Sequence, residues 1–161
     1  MPDEPRLTLF GKHPAFGDFI AVDAPDPLRT ILSDWCDTSF AAARADMGES
    51  WAARYDAMPP LRFWMGEALT GLDQPFAGAL AFSRDKVGRR SPLILGWAVA
   101  GFPPPFDGDD LHAAAADALS AMPASVVEAR DLLPDPLLPE PRELGPRSFW
   151  AASLGALPDI A

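Results

Sequence analysis

The period of hydrophobic and polar positions changes several times along the chain, and each change marks an element. Residues 6–10 are short, mostly apolar and closed by Gly11, which predicts a strand. A second short strand is expected at 19–22. Leu28, Ile31, Leu32, Trp35, Cys36, Phe40, Ala43 and Met47 then recur every three or four residues, the stripe of one long helix over 27–47. Asp26 is placed to cap it, Pro27 to open it and Gly48 to end it. Trp51, Tyr55 and Met58 share a face of a short helix over 51–57, with Ser50 as its cap and Pro59-Pro60 as its stop. Residues 61–65 alternate, with Leu61, Phe63 and Met65 on one side and Arg62 and Trp64 on the other.

A polar connection over 66–74 leads to two near-continuous apolar runs, 75–83 and 92–100. Such runs suit strands covered on both faces. Only eight residues, 84–91, join them, so they are expected to be antiparallel neighbours. Acid at 107–110 then favours a helix start, and Leu111, Ala114, Ala115, Ala118, Leu119 and Met122 give that helix an apolar face. A further short helix is expected over 124–133. Five prolines between 134 and 146 make 131–147 an extended connector, and 148–152 reads as a last edge strand. Together these predict an α/β fold: a single α-β-α layered domain over 1–161, with a mixed or largely antiparallel sheet and helices on both faces.

Composition supports a packed core. Of the 161 residues 48% are hydrophobic, with five Trp and ten Phe, and a chain of this size buries about 70% of its unfolded surface. The single cysteine, Cys36, excludes an internal disulfide, and its place on the apolar stripe marks it as a small buried side chain. His13 and His112 lack metal-ligand spacing, so no metal or other cofactor is expected. A net charge of -10 is unsuited to nucleic acid or an anionic membrane surface. Residues 1–5 lack the features of a secretory leader, and no run reaches the ~18 apolar residues of a membrane span. The expectation is a soluble, cytoplasmic protein.

Charge is unevenly placed. Only 13 residues are basic, yet Arg84, Lys86, Arg89 and Arg90 fall within seven positions, a local positive field on an acidic chain. Asp85 and Gly88 fit a tight turn there, with Arg89 expected to pair with a carboxylate such as Asp18. The alternative is that the basic cluster contacts an acidic or phosphorylated partner. A second shaped loop, 11–19, carries Gly11, Lys12, Pro14, Gly17, Asp18 and Phe19. Its spacing departs from a phosphate-binding loop, because Lys12 follows the first glycine and a carboxylate follows the second. Ser83 lacks the surroundings of a nucleophile, and neither histidine is near it in sequence.

Read together, these segments resemble the TagF/ImpM family of type VI secretion-associated proteins. The residues that carry the resemblance are Gly11-Lys12-x-Pro14-x-x-Gly17-Asp18-Phe19, Trp35, Trp51-x-x-x-Tyr55, Pro59-Pro60, Arg62-Phe63 and Ser83-x-Asp85-x-Val87-Gly88-Arg89-x-x-Pro92-Leu93. Ser148-Phe149-Trp150 stands where the family has Ser-x-Trp-Trp, with Ala151 in place of the second Trp. The resemblance is continuous from residue 7 to about 100 and thins beyond. It implies an α-β-α fold and a non-catalytic bacterial regulator that represses type VI secretion after translation. Its leading partner would be an FHA-domain scaffold.

Two sets of residues follow. Lys12, Arg62, Trp64, Arg84, Lys86 and Arg90 are candidates for partner contact, with Trp64 buried instead if helices cover its face. Gly11, Pro14, Gly17, Asp18, Phe19, Asp85, Gly88, Arg89 and Pro92 are expected to shape the two loops. The competing reading is a small enzyme or ligand-binding domain, with Lys12, Asp18, Asp85 and Arg89 around a pocket between residues 11–19 and 83–92. It requires the two loops to meet around a concave site.

Overall fold

A computed structural model of the chain describes residues 6–100, 110–133, 147–151 and 155–156. Its frame is a seven-stranded sheet in which every neighbouring pair is antiparallel. The strands are β1 (Arg6–Gly11), β2 (Ile20–Val22), β3 (Leu61–Met65), β4 (Phe76–Ala81), β5 (Leu93–Ala98), β6 (Arg147–Ala151) and β7 (Gly155–Ala156), in the order β2-β1-β5-β4-β3-β6-β7. The two near-continuous apolar runs are β4 and β5. They pair along their whole length at the sheet centre, and nearly every residue in them is buried. The segment at 148–152 does form a strand, but it is not the edge, because β7 pairs outside it.

Helices cover both faces. On one side lies α1 (Asp26–Met47), which buries Leu28, Leu32 and Cys36 at one-turn spacing against Phe10, Phe63, Met65, Phe76, Leu80 and Ile94. On the other lie α4 (Asp110–Ser120) and α5 (Val126–Leu132). Their Ala115, Leu119, Val126 and Ala129 pack on Leu7, Leu9, Trp64, Ala77, Leu95 and Trp97. A short α2 (Trp51–Ala57) and a single turn, α3 (Glu67–Thr70), complete the described helices. The proline-rich stretch 134–146 and the acidic start at 107–109 lie outside the described residues.

Two expected caps are absent. Helix α1 begins at Asp26 behind an extended Pro25, with Pro27 in its first turn, so the Asp26 side chain sits within the helix and accepts from Arg29 instead. Ser50 belongs to a 3-10 turn, and its hydroxyl donates back to the Met47 carbonyl rather than receiving an α2 amide. Ser125 does cap α5, accepting the Glu128 amide at 3.1 Å.

A row of residues crossing the sheet makes room for a large ring on the α1 side. Phe63, Gly78, Gly96 and Thr8 are successive partners across β3, β4, β5 and β1. Their glycines leave room for the fully buried Phe76 ring, which a Cβ on Gly96 would strike. A Cβ on Gly78 would collide with the Leu95 carbonyl and the Gly96 backbone, which cannot move without parting two central strands. Gly78→Ala is therefore expected to cost on the order of 3 kcal/mol in urea unfolding. Gly17→Ala, which meets no atom within 4 Å, should stay within about 0.5 kcal/mol of the parent. Equal losses would contradict this packing.

Candidate functional site

The loop after β1 is set by Gly11. Its φ of 129° is one that side-chain-bearing residues rarely adopt, and a Cβ there would run into the Pro92 carbonyl. The next amide, that of Lys12, donates to the same carbonyl at 3.1 Å. His13, almost wholly buried, fixes the rest of the loop. Its Nδ1 accepts the Ala15 amide at 3.0 Å, which places the ring proton on Nε2 and makes it the donor to the Met122 carbonyl at 2.8 Å. Residues 12–19 are thereby tied both to the start of β5 and to the junction between α4 and α5.

Asp85 is the centre of the second loop. Its side chain is inaccessible to solvent and accepts four hydrogen bonds. Oδ1 receives the amides of Val87 at 3.1 Å and Arg89 at 2.9 Å; Oδ2 receives Lys12 Nζ at 3.1 Å and Arg89 Nε at 2.6 Å. The turn closes through Gly88, at φ 90°, whose amide donates to the Asp85 carbonyl. Burial alone would raise the Asp85 carboxyl. The Arg89 amide, the Lys12 ammonium and the Arg89 guanidinium outweigh it and hold the group well below the usual carboxylate range.

The two loops meet at more than this carboxylate. Arg89 Nη2 donates to the Gly17 carbonyl at 2.8 Å, and the Lys86 amide donates to the Phe16 carbonyl at 2.8 Å. The predicted turn is present, but the partner of Arg89 is Asp85 and the Gly17 carbonyl, not Asp18. The reason is local: the turn brings Arg89 back over its own Asp85 within four residues.

Helix α2 braces the other side of the crossing. Trp51 and Tyr55 pack with Phe40 and Phe82 in an aromatic cluster of edge-to-face and tilted pairs, with ring centroids 5.1–5.9 Å apart. Tyr55 Oη donates to the Ser83 carbonyl at 2.8 Å, and burial pushes its phenol above the ordinary range. The next residue, Asp56, takes Arg90 in a fork, Nε at 2.9 Å and Nη2 at 2.7 Å, and Arg84 Nη2 at 3.1 Å. Hydrogen bonds from Arg90 pull the Asp56 carboxyl below its usual range, with the charge of Arg84 adding to the effect.

The partner-contact candidates thus fall into three groups. Lys12 is buried on Asp85, and Trp64 is 4% exposed beneath the second helical layer, so neither presents a surface. Trp64 points away from α1, but the other face is covered as well. Arg62 is half-buried on β3. Arg84 and Arg90 are surface groups already paired with Asp56, whereas the exposed Lys86 has no ion-pair partner among the described residues. Pro14, Gly17, Asp18 and Phe19 are exposed along the first loop, and Pro92 is buried at its base. His13, the Tyr55 hydroxyl and Asp56 complete the assembly; their partners lie 109, 28 and 34 residues away, beyond any local pattern.

The loops do meet, as the enzyme reading requires. A groove of about 560 Å³ runs beside them, between Phe19, Ser91 and Pro92 on one side and Thr30, Ser33 and Asp37 of α1 on the other. Lys12, Asp18, Asp85 and Arg89 do not line it. Cys36 does, but burial, with the charge of Asp37 adding to it, pushes its thiol up to about 12, leaving little thiolate at neutral pH. Among the described residues no three His, Cys, Asp or Glu side chains gather as metal ligands, and no helix is long and apolar enough to cross a membrane.

The depressed Asp85 carboxyl has a consequence for acid stability. Its folded-state value lies below that of the unfolded chain, about 4, so its contribution is complete above that pH and lost as pH falls below it. Asp56 acts in the same direction. Asp85→Asn should lower the urea midpoint clearly at neutral pH, and the gap to the parent should narrow below about pH 4; a constant gap would contradict the assignment. Tyr55→Phe, which leaves the Ser83 carbonyl with the Ser91 amide as its remaining donor, should cost about 1 kcal/mol, measured the same way.

Comparison with known proteins agrees with the fold. Residues 8–134 match the family model for the TagF N-terminal domain, described as type VI secretion system-associated. No curated protein matches the chain. In fold it is similar to the crystal structure of PA0076 from Pseudomonas aeruginosa PAO1, with a TM-score of 0.71 over 85% of this chain at 24% sequence identity. It spans 66% of that protein's length. The match covers both locked loops and all the described helices, beyond the point near residue 100 where the motif resemblance thins; Ser148-Phe149-Trp150 lies outside it. The chain therefore belongs to the TagF N-terminal domain family of type VI secretion-associated proteins.

Proposed function

We propose that this domain is a non-catalytic, cytoplasmic regulator that represses type VI secretion after translation by binding a component of the system, with an FHA-domain scaffold as the leading partner. The observation that carries the reading is the locked pair of loops. On a chain of net charge -10, the loops and α2 gather five cations, Lys12, Arg84, Lys86, Arg89 and Arg90, against three carboxylates, Asp18, Asp56 and Asp85, so the local excess is positive. The internal pairs position the arginines and Lys12, and Lys86 is left exposed.

The geometry of Asp85 also favours binding over catalysis at these residues. A carboxylate with four donors on its two oxygens, held in its ionised form, is a poor acceptor for a substrate proton near neutral pH. The arrangement orders backbone and charge, which is what a recognition surface needs.

Pull-down from a secretion-competent host is expected to recover the FHA-domain scaffold or another component of the apparatus, and overexpression is expected to reduce secretion. Lys86→Glu should weaken binding about tenfold at low salt, with the difference shrinking as ionic strength rises. Recovery of no such component, together with unchanged secretion on deletion and on overexpression, would overturn the proposal.

A further inference from the structure

Three large apolar side chains remain exposed around the locked loops: Val87 at 71%, Phe19 at 51% and Phe16 at 39%. Single exposed apolar residues are ordinary on a protein surface. The backbone brings Phe16 and Val87 together, since the Phe16 carbonyl receives the Lys86 amide and Val87 follows directly, and Phe19 joins the same unit through Lys12, which is bound to Asp85. The aromatic pair is also held in place. The Phe16 ring lies 5.4 Å from His13, and the Phe19 ring lies 6.0 Å from Phe10, with Lys12 Nζ 5.3 Å from its centroid.

Beside them stand the exposed Lys86 and Arg89, whose side chain is 62% accessible. Arg89 commits Nε to Asp85 and one Nη2 hydrogen to the Gly17 carbonyl. A guanidinium carries five N–H donors, so the remainder are available to an incoming carboxylate. Aromatic anchors next to arginine, rigidly held, are the composition of an interface centre rather than of a solvated turn.

We propose that Phe16, Phe19 and Val87, with Lys86 and Arg89, form a docking surface for an acidic segment of a partner protein that carries an apolar side chain between its carboxylates. Charge selects this occupant. A chain of net charge -10 repels an acidic segment over most of its surface and attracts one only where cations cluster. The apolar trio then supplies the contact that charge alone lacks, and because the loops are locked before binding, little ordering opposes it.

This rests on the reading of the domain as a binding module, but not on the identity of the scaffold. The test is selection of random twelve-residue displayed peptides on the intact chain, followed by direct binding of the selected peptides. Enrichment of an aromatic or aliphatic residue flanked by Asp and Glu is expected. Val87→Ser and Lys86→Glu should each weaken those peptides at least tenfold, whereas Arg130→Glu on α5 should change binding less than twofold. Thermal unfolding of each variant at the parent temperature keeps the comparison interpretable, and Phe16→Ser supplies a further apolar variant. No acidic enrichment, or selected peptides that bind both loop variants like the parent, would overturn this surface. If that happened while the scaffold still bound the parent chain, the regulatory reading would stand and only the docking surface would fall.

Discussion

The structure around the loops depends on one buried carboxylate. Asp85 has no solvent around it and no spare lone pair, and its four donors together shape the turn and join the two loops. The Val87 and Arg89 amides close the turn. Arg89 reaches on to the Gly17 carbonyl, and Lys12 draws the first loop against the second. A buried charge is costly unless it is paired and fully hydrogen-bonded, so this arrangement holds only while all of it is assembled. That makes the two loops a single unit joining the ends of β1 and β5.

The sheet below makes this possible. Gly11 lets β1 approach the Pro92 carbonyl, while α2, anchored by its aromatic cluster and the Tyr55 hydroxyl, presents Asp56 to Arg84 and Arg90. The basic cluster is thus organised by acids on either side, a buried one beneath and an exposed one beside. The exposed pairs with Asp56 contribute little to stability in water and act mainly by orienting the arginines.

Much of the fold was legible because local periodicity carries it. The stripe from Leu28 to Cys36 located α1, and the two apolar runs located the central strands, since burial on both faces removes alternation. The turn at Asp85 and Gly88 was legible for the same local reason. Two cap assignments failed for local reasons: Pro25 holds the position before α1, with Asp26 inside the helix, and the Ser50 hydroxyl is drawn back to the Met47 carbonyl within a 3-10 turn. The site was less legible. Lys12 with Asp85, Arg90 with Asp56 and His13 with Met122 are separated by 73, 34 and 109 residues, and no spacing rule links such pairs. Lys12 was a candidate for partner contact for lack of that link, and Trp64 was assigned a face whose covering helices lie far along the chain.

Two loops held as a single unit by Asp85 open and close together. Native-state amide hydrogen exchange measures this directly. The Lys12 amide on Pro92, the Lys86 amide on Phe16 and the Arg89 amide on Asp85 should show closely similar protection in the parent chain. All three should lose it together in Asp85→Asn. Loss confined to the Arg89 amide, with Lys12 and Lys86 still protected, would contradict the account.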